Sequence, residues 1–218
     1  MSYEAVIFDF DGVLIDSGFD GFQWAVDARQ EYIEKRGIDV DENKIRHGVY
    51  VPEDKALSEV VNGSGISWKK FKKMEDYAAE RKLELASTGE LQLFDDVKPV
   101  LDELDLPIAI VSNSYREYLE AIFKEMSIAE YVRFYNAPSI ENIQSFRDRM
   151  KPEPVMINEA LDTLGTRKAV MIGDQIEDVM GANRAGIDSI YIDRNGGVEE
   201  KANYSVTSLK EALEIIQD

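Results

Sequence analysis

Two carboxylates one residue apart, Asp9 and Asp11, follow the apolar run Val6-Ile7-Phe8 and precede Gly12. At the end of a strand such a pair leaves the sheet edge together, and a glycine permits a tight backbone path. One carboxylate can attack an electrophile while its neighbour exchanges a proton with the leaving group. Asp-x-Asp-Gly also occurs in calcium loops and in solvated strand ends, so the motif taken alone leaves all three readings open.

Three further segments carry chemistry. Ser112-Asn113-Ser114 follows the apolar run 107–111. Ser114 with Glu117 fits an S-x-x-E capping box, which leaves Ser112, just before a helix N-terminus, to hold an anion. Lys151-Pro152-Glu153-Pro154 places a lysine on a backbone restricted by proline. Its ammonium can neutralise a phosphoryl group and an attacking carboxylate, or it is a surface lysine in a turn. In Gly173-Asp174-Gln175-Ile176-Glu177-Asp178, acids at a strand end can hold a hard cation through oxygen. Glu177 and Asp178 also suit the first turn of a helix, where the dipole favours acids. That alternative does not account for Asp174, which precedes the helix.

The elements around these segments predict how they meet. Short apolar runs at 6–8, 107–111, 132–135, 169–172 and 189–192 alternate with helical patterns at 115–126, 154–164 and 176–185 and a last helix opened by Ser208. Strands alternating with helices indicate an α/β fold, a doubly wound parallel sheet. Between the first strand and the rest, residues 19–36, 52–61 and a longer stretch after Ser67 read as helices. The expected organisation is an α/β core made of 1–15 and 93–218, interrupted by an all-α unit at 16–92. In an open parallel sheet, ligands bind beyond the carboxyl ends of the strands, where these segments converge.

Composition narrows the partners. The chain has 218 residues and a formal net charge of -18. Residues 16–92 hold 16 acids and 12 bases, the remainder 27 and 13. Such a charge repels phosphate backbones and anionic lipid, so neither nucleic acid nor a membrane is an expected partner. No run approaches the roughly 18 apolar residues of a membrane span. Zero cysteines exclude disulfides and thiolate metal sites and fit a reducing cytoplasm. The Lys69–Lys73 cluster is expected to be a solvated helix face, and Trp24 and Trp68 to lie in the core of the helical unit.

The order Asp-x-Asp-Gly, strand-Ser-Asn, Lys-Pro and Gly-Asp-x-x-x-Asp resembles the haloacid dehalogenase superfamily over essentially the whole chain, with the helical insert similar to that family's small cap. Gln175 stands where a serine is common in the family. Within the superfamily the chain looks most like phosphoglycolate-phosphatase and β-phosphoglucomutase members. The resemblance implies a phosphatase forming a phosphoryl-aspartate on Asp9, with Asp11 as acid and then base. It implies Mg2+ held by Asp9, the backbone carbonyl of Asp11, and Asp174, with Asp178 as ligand or just behind. Gly12, Ser112, Asn113 and Lys151 would then surround the phosphoryl group. An Asp two residues after the nucleophile is absent from dehalogenase and phosphonate-cleaving relatives, so Asp11 favours phosphate esters. Asp16-Ser17 matches the place where such caps begin, and Arg46 and His47 are a small cationic element suited to a second anionic group of a substrate. The expected partner is a small phosphorylated metabolite, phosphoglycolate first, acted on by a monomer or homodimer. A phosphomutase and a non-catalytic acidic binding module are the alternatives.

Overall fold

The computed structural model describes residues 2–16, 23–40, 65–123, 125–139 and 147–218. Among them run, in chain order, β1 (Ala5–Phe8), β2 (Ile15–Asp16), α1 (Gln23–Arg36), α2 (Trp68–Thr88), β3 (Gln92–Leu93), α3 (Val97–Glu103), β4 (Ile108–Val111), α4 (Arg116–Phe123), β5 (Val132–Asn136), α5 (Val155–Leu164), β6 (Ala169–Gly173), α6 (Ile176–Ala185), β7 (Asp188–Ile192), β8 (Tyr204–Val206) and α7 (Leu209–Gln217). Six strands form one sheet in the order β5-β4-β1-β6-β7-β8, each neighbouring pair parallel.

A strand covered on both faces has no polar side, so it must be apolar throughout. β1 meets that demand, with all four residues buried. Alternation sends Val6, Phe8, Ile108, Ile110, Val170 and Ile172 to the core that also takes Val100 of α3, Leu119 of α4 and Leu213 of α7. Ala5, Ile7, Ala109, Val111, Ala169 and Met171 face the opposite core, filled by Met156 and Leu161 of α5 and Ala182 of α6. The result is the predicted three-layer α/β arrangement. α5 and α6 stop before Gly165 and Gly186, as the sequence predicts.

Two chain crossings lead from this core to the helical unit. They are zipped by the antiparallel pair β2–β3, with Ile15 opposite Leu93 and Asp16 opposite Gln92. α1 and α2 pack on one another through Tyr32, Ile33, Phe71 and Met74. A second cluster joins them to the core: Trp24, Ala25, Ala28 and Ala78 meet Tyr115, just before α4, and Tyr118 within it. The alanines leave room for close approach. Trp24, expected inside the helical unit, instead stands at this boundary with its ring edge-on to Tyr118 at 5.0 Å. Arg29 and Glu75 form a buried two-pronged pair at 2.9 Å and 2.9 Å, and the Tyr118 hydroxyl also donates to Glu75. A buried charge persists only when paired in this way. Lys69, Lys70 and Lys73 are exposed, as expected of a solvated face.

Local differences from expectation have local causes. α4 begins at Arg116, without the predicted capping box. The Ser114 hydroxyl donates to Asp11, and Glu117 accepts from Ser139 instead. Ser67 precedes α2 but its hydroxyl makes no capping bond. Ser208 does cap α7, while Glu211 reaches Thr207 N at 2.8 Å rather than the nitrogen of Ser208. The predicted helix at 52–61 lies outside the described residues. No helix among the described residues is long and apolar enough to cross a membrane.

Candidate active site

The site grows from the carboxyl end of β1. Asp9 N donates to Ile172 O at 2.8 Å, extending the ladder by one residue, after which the chain folds into a tight turn closed by Leu14 N and Ile15 N on Phe10 O. This turn presents Asp9 and Asp11, both nearly buried, to different surroundings. Asp9 Oδ1 lies 2.8 Å from Lys151 Nζ. Asp11 Oδ1 accepts from Lys82 Nζ at 2.9 Å and its Oδ2 from Ser114 Oγ at 2.6 Å. Each carboxylate has its own cation, so two acids can share one turn.

Lys151 is buried, not a surface lysine. Its ammonium also lies 2.5 Å from Asp178 Oδ1 and donates to Val111 O at 2.8 Å, at the end of β4. Asn113 fixes the backbone beneath it: its Oδ1 accepts from Lys151 N at 2.8 Å and its Nδ2 donates to Lys151 O at 2.9 Å. The Asn113 amide thus aims the ammonium. Ser112 is buried and its Oγ accepts from Ser114 N at 3.1 Å.

β6 delivers the remaining acids. Asp178, in the first turn of α6, accepts from Gln175 N at 3.0 Å through Oδ2. A Cβ at Gly173 would fall 2.2 Å from that carboxylate, and a Cβ at Gly12 would fall 2.2 Å from Asp174 Oδ2. Gly12 also has φ +81, a conformation that side-chain-bearing residues avoid. Gly12→Ala is therefore expected to push Asp174 away and to destabilise by about 1–3 kcal/mol. A thermal melt together with a loss of cation binding checks this.

Carboxylate oxygens of Asp9, Asp174 and Asp178 all lie within 4.8 Å of one another. Burial pushes the Asp174 carboxyl up to about 6, with Asp178 adding to it. Burial raises Asp9 too, as do Asp178 and Asp174, against the pull of Lys151. Three carboxylates facing one ammonium leave two negative charges, and Asp174 Oδ1 is buried without a hydrogen-bond partner among the described residues. An all-oxygen set with that charge fits a hard divalent cation.

The turn thus gathers Asp9, Asp11, Gly12, Ser112, Asn113, Lys151, Asp174 and Asp178. Asp16 is exposed on β2. Ser17, Arg46 and His47 lie outside the described residues. Two members were missed in the sequence, Ser114 and Lys82. Lys82 falls on the stripe Phe71, Met74, Ala78, Lys82 at helical spacing, and a charge on an apolar stripe was the available signal.

Known proteins share this architecture. A model of haloacid dehalogenase-like hydrolases matches residues 3–186. A phosphoglycolate phosphatase of Colwellia psychrerythraea is 26% identical over 199 residues, covering 86% of this chain and 83% of that protein. The structure of CbbY from Rhodobacter sphaeroides in complex with phosphate superimposes with a TM-score of 0.72 at 19% identity, over 96% of each chain. A candidate beta-phosphoglucomutase from Thermotoga maritima gives 0.66 at 23% identity, over 98% of each. With the family model spanning most of its length, the chain belongs to the haloacid dehalogenase-like hydrolases.

Proposed function

We propose that the protein is a Mg2+-dependent phosphatase that hydrolyses a small phosphate monoester through a phosphoryl-aspartate on Asp9, with phosphoglycolate the first substrate to try. The observation that carries this reading is the contrast between Asp9 and Asp11: one carboxylate lies with Asp174, Asp178 and Lys151, the other against a hydroxyl and a second lysine. Asp9 attacks phosphorus, the ester P–O bond breaks, and Asp11 gives its proton to the leaving oxygen. Asp11 then takes a proton from water as that water attacks the aspartyl phosphorus, the Asp9 O–P bond breaks, and inorganic phosphate leaves with the Asp9 carboxylate restored. Lys151 neutralises Asp9 and the incoming phosphoryl group, with Ser112 and the backbone at Gly12 beside it. Asp9, the carbonyl of Asp11 and Asp174 would hold Mg2+, with Asp178 behind them. The cation would supply positive charge that lets two anions approach. Residues 16–92 form the cap in this reading, swinging about β2–β3 near Asp16.

The reading also draws on the similarity to the Colwellia phosphoglycolate phosphatase. Its test is release of inorganic phosphate from a panel of monoesters, with and without Mg2+. Interconversion of sugar phosphates without release would replace it with a phosphomutase. Absence of both reactions would leave a binding module.

The cation has its own signature. A carboxyl whose folded value lies above its ordinary range stabilises at low pH and loses that contribution as pH rises through the folded value, here about 6 for Asp174. A bound cation reverses this by favouring the ionised form. MgCl2 at roughly 100 times its Kd is expected to stabilise by about 2.7 kcal/mol near neutral pH, with a smaller gain at about pH 5 where protons compete. Thermal melts with MgCl2 against EDTA at both pH values check it.

A further inference from the structure

We infer that Lys82, carried on the cap helix α2, reads the leaving group and selects phosphomonoesters whose alcohol bears an anionic group, a carboxylate above all, next to the ester oxygen. This deepens, and rests on, the phosphatase reading.

Lys82 is fully buried, and its Nζ touches Asp11 Oδ1 at 2.9 Å. Around it stand the rings of Trp24, Phe10 and Tyr118, at 4.9, 5.4 and 5.8 Å from Nζ to the centroids. These faces attract a cation but offer it no lone pair. Of its three N–H donors, Asp11 takes one. The indole N–H of Trp24 is also buried and lacks a hydrogen-bond partner among the described residues. Among the described residues, donors therefore exceed acceptors around Lys82, which is the signature of a place that takes an oxygen-rich anion.

Position points the same way. Asp11 faces the ester oxygen it protonates, so a cation in contact with Asp11 lies a few ångströms from that oxygen, on the leaving-group side. A substrate carboxylate one carbon from the ester oxygen pairs with the ammonium there, and an uncharged alcohol offers it nothing beyond Asp11. Lys82 thus discriminates by binding the anion. The buried Arg29–Glu75 pair and its Tyr118 partner anchor α2 where this contact is made.

2-Phosphoglycolate and ethyl phosphate differ in the carboxylate, so their ratio of kcat/KM is the readout. Lys82→Met is expected to lower that ratio about 100-fold, the loss of a charge-assisted pair, while Lys82→Arg keeps it within about tenfold. A ratio unmoved by Lys82→Met, whether both rates fall together or neither does, overturns the inference. Calorimetry in the Asp9→Asn background with Mg2+ separates this outcome from failure of the phosphatase reading. There Lys82→Met is expected to weaken 2-phosphoglycolate about 30-fold or more and ethyl phosphate by less than about threefold. If the wild-type chain turns over neither ester, the phosphatase reading falls, and equal binding of the two esters or binding of neither would then discard the role of Lys82 as well.

Discussion

Asp9→Asn is expected to lower turnover of any substrate by about 10^4-fold or more, because a carboxamide of the same shape cannot attack phosphorus. The packing at this position should survive. Asp9 holds its place through Asp9 N on Ile172 O, a backbone bond that the substitution leaves alone, and asparagine matches its nearly buried side chain in size. Asparagine also relieves the crowding of negative charge with Asp174 and Asp178, so the melting temperature is expected to hold or rise. Loss of activity with undiminished stability is thus the expected pair of results. Asp11→Asn differs in degree: the nucleophile remains and the proton carrier is lost, a deficit of at least about 10^2-fold. Under acid quench with a labelled ester, Asp11→Asn should accumulate label on the protein and Asp9→Asn none. Near-normal turnover by purified Asp9→Asn would end the proposed mechanism.

Lys151→Met is the substitution with the largest expected effect on stability. The ammonium is buried between Asp9 and Asp178, and its removal leaves both carboxylates without that counter-charge. Removing one partner of a buried ionic cluster costs about 3–5 kcal/mol, and at roughly 2–4 °C per kcal/mol for a chain of this size the melting temperature falls by about 6–20 °C. The effect depends on pH. Without the lysine, Asp9, already raised by burial, rises further and takes up a proton on acidification, which relieves the repulsion. The deficit is therefore expected to be smaller near pH 5 than near pH 8, and Mg2+ should restore part of it. A shift below 2 °C at both pH values would show that the cluster does not depend on this ammonium.

The fold was legible because its strands are buried on both faces. Ala5–Phe8 and Ile108–Val111 are continuous apolar runs, and a segment with no polar face has few other places to go. Pieces with no period were not legible: two residues of β2 pair with two of β3, and β8 has three with Tyr204 exposed. The site was legible where chemistry is written in adjacent residues, as in Asp9-Phe10-Asp11-Gly12. It was illegible where a partner arrives from far along the chain. Lys82 reaches Asp11 across 71 residues, and Ser114 reaches it across 103. Ser114 satisfied a local rule for helix capping, and a distant carboxylate outbid the helix for its hydroxyl. Asn113 shows the same effect, since its amide is committed to the backbone of a lysine 38 residues away.

The central place of β1 bears on how the chain comes to life on the ribosome. The strand that ends at the nucleophile is made early, yet its two neighbours are β4, at 108–111, and β6, at 169–173. Until both have emerged, Ala5–Phe8 has at least one open edge. Such long-range parallel pairing is slow, and unpaired edges invite association with other chains. A nascent chain released before β6 would therefore carry the nucleophile strand with one edge unpaired, although that strand is the earliest-synthesised part of the active centre.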